Sequence, residues 1–294
     1  MSALRPGDPW VRPDARAWWR FLEPVHAVTY FAPECRERSR AIGLRGFWMG
    51  YFAARAAPLG AVGPETVEAT FFSFHRSMVR RSIPDAWSFA DPRSVLEGRR
   101  VGAAAALRRL QPSVDELAAP LLPILHQVID DATGAGRTLF SANRGLERSD
   151  DPVERLWQAC TCLREHRGDG HVAALITHAL DGCEALVLFA ESEGIPGTLF
   201  HQSRGWSTDE WESARRRLEA RGLVDGEDIL PAGRDLRGSI EQLTDKLAAP
   251  PFSVLGAAQQ ASLWEGLRAI ADAVTTAAVI PFPNPMGLPA PETR

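Results

Sequence analysis

RGWSTDEWESARRRLEARGLVDGEDILPAGRDLR, residues 204–237, decides the fold. Ser207 stands three residues before Glu210, the spacing at which a hydroxyl and a carboxylate satisfy each other's free N–H groups at a helix start. The helix so begun places Trp211, Ala214, Leu218 and the stem of Arg221 on one face, and it ends at Gly222. Leu223-Val224 and Ile229-Leu230 flank the turn sequence DGED, which predicts two short strands. Ala232-Gly-Arg-Asp-Leu-Arg then opens another helix. Just upstream, IPGTLFHQSRG (195–205) predicts a short helix closed by Gly205.

Outward from this stretch the chain reads as helices. Ala15 to Phe31 carries Trp18, Phe21, Leu22, Val25, Val28 and Tyr30 at spacings of three and four, and Pro24 predicts a kink or break. Further helices are expected from Pro33 to about Ile42, Gly43 to Gly60, Gly63 to Val79, Ser94 to Leu110, Val114 to Ala132 and Ser253 to Ala278. The aromatic face Phe71, Phe72, Phe74 reads as core, and Pro84 to Pro92 reads as a connector. The fold class expected is mainly α, with two helical domains. An N-terminal helical domain spans 1–132, and a Gly-, Asn-, Arg- and Asp-rich linker spans 133–151. A C-terminal domain, 152–279, contains a winged helix-turn-helix with a short β-hairpin wing over Thr198 to Arg237. A proline-rich tail, 280–294, is expected to be extended or disordered unless it docks.

The 294 residues suffice for two domains, each with its own core. Lys246 is the sole lysine and arginine carries all other positive charge, a bias that suggests a GC-rich bacterial genome. It excludes a phosphate-loop lysine and leaves Lys246 alone for Schiff-base chemistry. A net charge of −4 gives no general attraction to nucleic acid or to an anionic membrane. No apolar run reaches membrane-spanning length, and MSALRPGDPW lacks the apolar segment of a secretory signal, so a cytoplasmic protein is expected. Cys35, Cys160, Cys162 and Cys183 form no CxxC pair and read as reduced, structural thiols.

The pattern RLEARGLVD…ILPAGRDLR, residues 217–237, resembles MarR-type winged-helix proteins, with Pro231 where those proteins usually have threonine. EPVHAVTYFAPE (23–34), GLRGFWMGYFAARAAPLG (43–60), LREHRGDGHVAAL (163–175) and RGWSTDEW (204–211) together resemble an actinobacterial helix-turn-helix family, largely of unknown function, over most of the chain. This resemblance implies the fold and, as one use of it, a ligand-responsive transcriptional regulator. Arg215, Arg216 and Arg217 would then reach DNA phosphates. Local charge opposes that use. The first turn of the expected recognition helix holds Asp209, Glu210 and Glu212, and Trp206 to Lys246 contains ten acidic residues against seven basic ones.

A second feature is Arg164-Glu165-His166-Arg167-Gly168-Asp169-Gly170-His171, which reads as a charged turn between two helices, with Asp169 capping a helix that runs to about Glu191. His166 and His171 are candidate acid and base, or metal ligands, with Asp169 orienting them. His26 and Tyr30 lie four residues apart on an otherwise apolar helix and so share a face. A salt-bridge and capping network accounts for the charged residues equally well. The functional expectation is a small-molecule-binding cleft between two helical domains, in an enzyme or a non-catalytic protein. His166, His171 and Asp169 would be its catalytic set, and His26, Tyr30, Arg164, Glu165 and Arg167 would hold the ligand. Haem or a transition metal is compatible with the histidines but not indicated, and a homodimer is compatible with the sequence.

Overall fold

The computed structural model describes residues 13–290, and the expectations for the first ten residues and the last four lie outside the described residues. The chain is mainly helical, with a single two-stranded hairpin among the described residues. Helix α1 (Ala15–Phe31) is capped by Asp14, whose carboxylate accepts the Ala17 N–H, and it continues through Pro24 without a break. It is followed by α2 (Pro33–Ala41) and α3 (Gly46–Ala56). The single helix expected to reach Val79 is instead two, α4 (Pro64–Thr70) and α5 (Arg76–Arg80). The chain turns at Phe72, whose φ is +24°, so that Phe71 and Phe74 are both buried. The expected connector contains α6 (Ala86–Phe89). Helices α7 (Pro92–Leu110) and α8 (Val114–Asp131) follow. The stretch 133–151, expected as a linker, holds α9 (Thr138–Arg144) with Phe140 fully buried.

The centre of the molecule is α10 (Pro152–Thr177), 26 residues long, which packs against α1, α7, α8 and α9. The charged segment 164–171 is therefore not a turn between helices; it is the interior of α10. Neither of its two glycines breaks the helix, and at Gly170 packing uses the missing side chain. A Cβ on Gly170 would lie 2.8 Å from Arg137 Nη1. That guanidinium donates to the carbonyls of His166 and Leu247 and so joins α10 to a later helix. The helix expected to run to Glu191 also stops at Thr177. A separate α11 (Gly182–Glu193) starts at a capping box of Asp181 and Glu184.

Next come α12 (Thr198–Arg204), a turn at Gly205 with φ +82°, and α13 (Thr208–Ala220). The Ser207–Glu210 capping box is present at the start of α13. Strands β1 (Val224–Asp225) and β2 (Asp228–Ile229) pair antiparallel, Val224 with Ile229 and Asp225 with Asp228, around Gly226 at φ +59°. Helix α14 (Pro231–Ala248) packs back onto α10 and α11, and α15 (Ala257–Thr276) covers α1 and α8.

Three clusters of buried apolar residues result. The largest runs across both sides of 133–151, joining Trp18, Val28, Leu107, Leu125, Trp157 and Leu267. The second lies within 174–240, around Phe200, Trp211 and Leu218, and the third surrounds Phe52, Phe71 and Met78. The proline-rich segment docks. Ile280 and Leu288 are buried, and Asn284 Oδ1 accepts the N–H groups of Met286 and Leu288. The four cysteines are buried free thiols. No single helix among the described residues is long and apolar enough to cross a membrane.

Gly182 makes a still closer approach than Gly170, because a Cβ there would lie 2.2 Å from the Phe72 carbonyl oxygen. Gly182→Ala should lower stability by about 1–3 kcal/mol through overpacking against backbone. Gly238→Ala is the control: it lies inside α14, a Cβ there meets nothing within 4 Å, and stability should rise by about 0.5–1 kcal/mol. Urea denaturation of the two variants against the parent measures both changes.

Candidate functional site

A cleft of about 580 Å³ is bounded by α1, α3 and residues 70–74 on one side and by α10, α11, α12, α14 and the docked tail on the other. Its deepest charges form one connected knot. Glu165 Oε2 accepts from Arg164 Nη1 at 2.8 Å and from Arg55 Nη2 at 3.1 Å, and Arg164 Nε reaches Glu23 Oε2 at 3.2 Å. Trp19 Nε1 also donates to Glu23, and Arg55 donates to the Tyr51 hydroxyl. Glu23 and Glu165 are each 2 % exposed. Burial alone would raise the Glu165 carboxyl, but Arg164 and Arg55 outweigh it and hold its pKa at about 2. The knot joins α1, α3 and α10.

A second knot lies along the cleft on α14. Glu241 and Asp245 accept from Arg16 at 2.6 and 3.0 Å and from Arg167 at 3.4 and 2.7 Å, and Arg237 pairs with Glu241 at 3.3 Å. His171 sits beside it, with Nδ1 3.0 Å from Thr244 Oγ1. The Thr244 hydroxyl already donates to the Ile240 carbonyl, so the His171 ring must donate through Nδ1–H and keep a lone pair on Nε2. Burial first, with Arg237, Arg167 and Arg16 against the opposing Glu241, lowers the His171 pKa to about 4. Asp169 caps no following helix and orients no histidine. Its Oδ2 accepts the Phe140 N–H at 2.9 Å, which caps α9 from across the cleft wall, and burial raises its pKa to about 6.

Tyr30, Arg164, Glu165, Arg167, Asp169 and His171 thus line the cleft together. His26 and His166 do not. The Thr161 hydroxyl donates to the Trp157 carbonyl, so it accepts His26 Nδ1–H at 2.9 Å, and His26 Nε2 accepts the Tyr30 O–H at 2.8 Å. Both ring nitrogens of His26 are therefore engaged in the core, and burial together with Arg164 keeps the ring neutral. His166 packs edge-on against Phe140 at 4.9 Å, and burial lowers its pKa to about 4. Arg164 and Arg167, expected to hold a ligand acid, are each paired with two carboxylates of the chain.

Sequence reasoning missed Arg55, Arg237 and Arg204. Arg204 is 9 % exposed, and its guanidinium lies 4.6 Å from the Phe74 ring centre. It donates to the carbonyls of Ser203 and Pro285 and makes no ion pair with a carboxylate among the described residues. Burial lowers its pKa, with no carboxylate of the described residues beside it to offset the lost solvation. Nothing in FHQSRGW distinguishes this arginine in sequence. Trp48, Tyr51, Phe71 and Phe74 form the aromatic side of the cleft; Phe71 and Phe74 are core residues, as expected, that also border it. Among the described residues no group of three or more His, Cys, Asp or Glu is placed to hold a metal ion.

Two of the three arginines on α13 are committed internally. Arg215 pairs with Glu191 and Glu212 at 2.9 and 2.6 Å, and Arg217 pairs with Asp181 and Glu184 at 2.6 and 2.7 Å; Arg216 is exposed. The start of α13 is also tied to the rest of the chain. Glu210 meets His75 Nε2 at 3.0 Å, and Trp206 Nε1 donates to the Ser73 carbonyl.

The buried histidines set an acid limit. A histidine whose folded pKa lies below 6.5 stabilises the fold fully above that value and progressively less as pH falls toward about 4, which applies to His166 and His171. Asp169 acts oppositely, because its pKa is raised from 3.8 to about 6 and its ionisation in that window opposes folding. Unfolding midpoints in urea should therefore fall from pH 6.5 to 4, and Asp169→Asn should make the fall steeper. An unchanged or shallower slope in that variant counts against this assignment.

Comparison with the curated proteins and with the solved structures gives no match. The sequence profile of one protein family matches residues 15–281, nearly the whole described structure, and the chain accordingly belongs to that helix-turn-helix family.

Proposed function

We propose that this protein binds a small organic acid with a flat apolar body in the cleft between α1–α3 and the α11–α14 unit. The observation that carries this reading is the division of the cleft: fixed charges along α10 and α14, aromatic rings along α3 and residues 71–74. Ion-paired walls hold their geometry without a ligand, and the rings offer stacking surface. Arg204 supplies the cation for the ligand's acid group, since Arg164 and Arg167 are already neutralised. If the site is catalytic, the lone pair on His171 Nε2 is the base, and His166 takes no part.

In this reading residues 198–237 are a winged helix-turn-helix used for packing, with α12 and α14 forming part of the cleft wall. The acidic first turn of α13, the paired Arg215 and Arg217 and the acidic turn at Gly226 support it. The second reading, a ligand-responsive DNA-binding regulator, is favoured by membership of a helix-turn-helix family.

Thermal-shift and calorimetric titration with aromatic carboxylates, their amides and matching amines tests the first reading. The carboxylates should bind preferentially, and Arg204→Gln should weaken them by about tenfold or more, the loss expected for a hydrogen bond to a charged group. Equal binding of the amides, or no effect of Arg204→Gln, would sink the proposal. For the second reading the measurement is fluorescence anisotropy with the protein's own promoter DNA. The packing role expects no sub-micromolar, salt-sensitive binding, and such binding would establish the regulator instead.

A further inference from the structure

A second cavity, about 330 Å³, lies beyond the wall made by Tyr30, Phe47 and Tyr51, among α2, α3 and α7. It differs from the cleft in charge. Three arginines, Arg36, Arg40 and Arg99, line it, and no Asp or Glu does. Arg36 and Arg40 are exposed and one turn apart on α2, whereas Arg99 is 8 % exposed. Every hydrogen-bond partner of Arg99 is neutral: Nη1 donates to the Ala54 carbonyl at 2.7 Å, and Nη2 donates to Asn143 Oδ1 at 2.8 Å and Gln158 Oε1 at 3.2 Å. Its Nε has no partner, and the group lies 5.3 Å from the Trp157 ring centre.

Buried charge without countercharge is costly. Arg55 and Arg164, by contrast, both sit on Glu165, while Arg137 and Arg204 are like Arg99 buried among neutral acceptors; of these three, Arg99 alone lines this cavity. Burial lowers the Arg99 pKa to about 10, so a proton is held there against the surroundings. An incoming anion would supply what the chain does not. Arg99 also borders a third cavity between α7, α8, α9 and α10, whose lining mixes Glu97, Glu147 and Glu154 with six arginines, whereas the second cavity has no carboxylate among the described residues. The remaining lining of the second cavity includes Ile42, Leu44 and Val95, which suits an aliphatic body better than a polar one.

We propose that this cavity is a second small-molecule site, for an aliphatic monoanion of the medium-chain carboxylate class, with the carboxylate on Arg99 and Arg36 and Arg40 drawing it in at the mouth. The proposal does not depend on the reading of the main cleft.

Calorimetric titration of the full chain with decanoate, decanol and decylamine tests it. Decanoate should bind at least about tenfold more tightly than decanol, decylamine should not bind, and Arg99→Gln should remove the preference. If Arg99→Gln does not fold, Ala54→Phe fills the cavity from α3 without removing a charge, and Arg40→Glu reverses an exposed charge at the mouth. Both should weaken decanoate, whereas Arg204→Gln, which addresses the main cleft, should not. Equal binding of decanoate and decanol overturns the proposal. So does loss of decanoate binding in Arg204→Gln with none in Ala54→Phe and Arg40→Glu, which would move decanoate to the cleft.

Discussion

The ion pairs of Glu165 are the constraint around which the molecule is arranged. A carboxylate at 2 % exposure is tolerable only if cations meet it, and Arg164 and Arg55 come from α10 and α3 to do so, with Glu23 of α1 closing the network. Three helices far apart in sequence are thereby held in one relative position. The aromatic side of the cleft rides on α3 and the charged side on α10, so the same contacts that fix the helices also fix the cleft.

The near-absence of lysine fits this arrangement. A guanidinium offers five donors in a planar fork, so one side chain can satisfy two carboxylates or two carbonyls from different elements. Arg137 joins α10 to α14 through two carbonyls, Arg16 and Arg167 each bridge Glu241 and Asp245, and Arg215 and Arg217 fasten α13 to α11. Arg99 and Arg204 likewise bridge neutral acceptors, and each lines a cavity without a carboxylate partner among the described residues.

The helix-turn-helix character of the family and the acidity of residues 206–246 are reconciled by what α13 touches. Its capping-box glutamate also meets His75, and the adjoining Trp206 reaches the Ser73 carbonyl. The neighbouring α12 ends at Arg204, in the cleft. The start of α13 is thus tied to residues 73–75 through Glu210 and Trp206, while Ser207, Thr208 and Asp209 stay exposed.

Local signals in the sequence determined a good deal on their own. The Ser207–Glu210 capping box, the hairpin around Gly226 and the helices from Ala15 to Phe31 and Val114 to Ala132 depend on residues within one or two turns of each other, and they are legible for that reason. The cluster 164–171 was also visible as an unusual density of charge, and Arg164, Glu165, Arg167, Asp169 and His171 all line the cleft. What the sequence could not show is that this segment is helical: Gly168 and Gly170 read as a turn, and only the fold shows Arg137 and Leu247, remote in the chain, in the space the missing Gly170 side chain leaves. The same holds for His26, whose apolar surroundings gave no sign that Thr161 would take its second nitrogen. Arg99 and Arg204 are decided by tertiary structure alone: an arginine is notable for lacking a countercharge only once every neighbour is known.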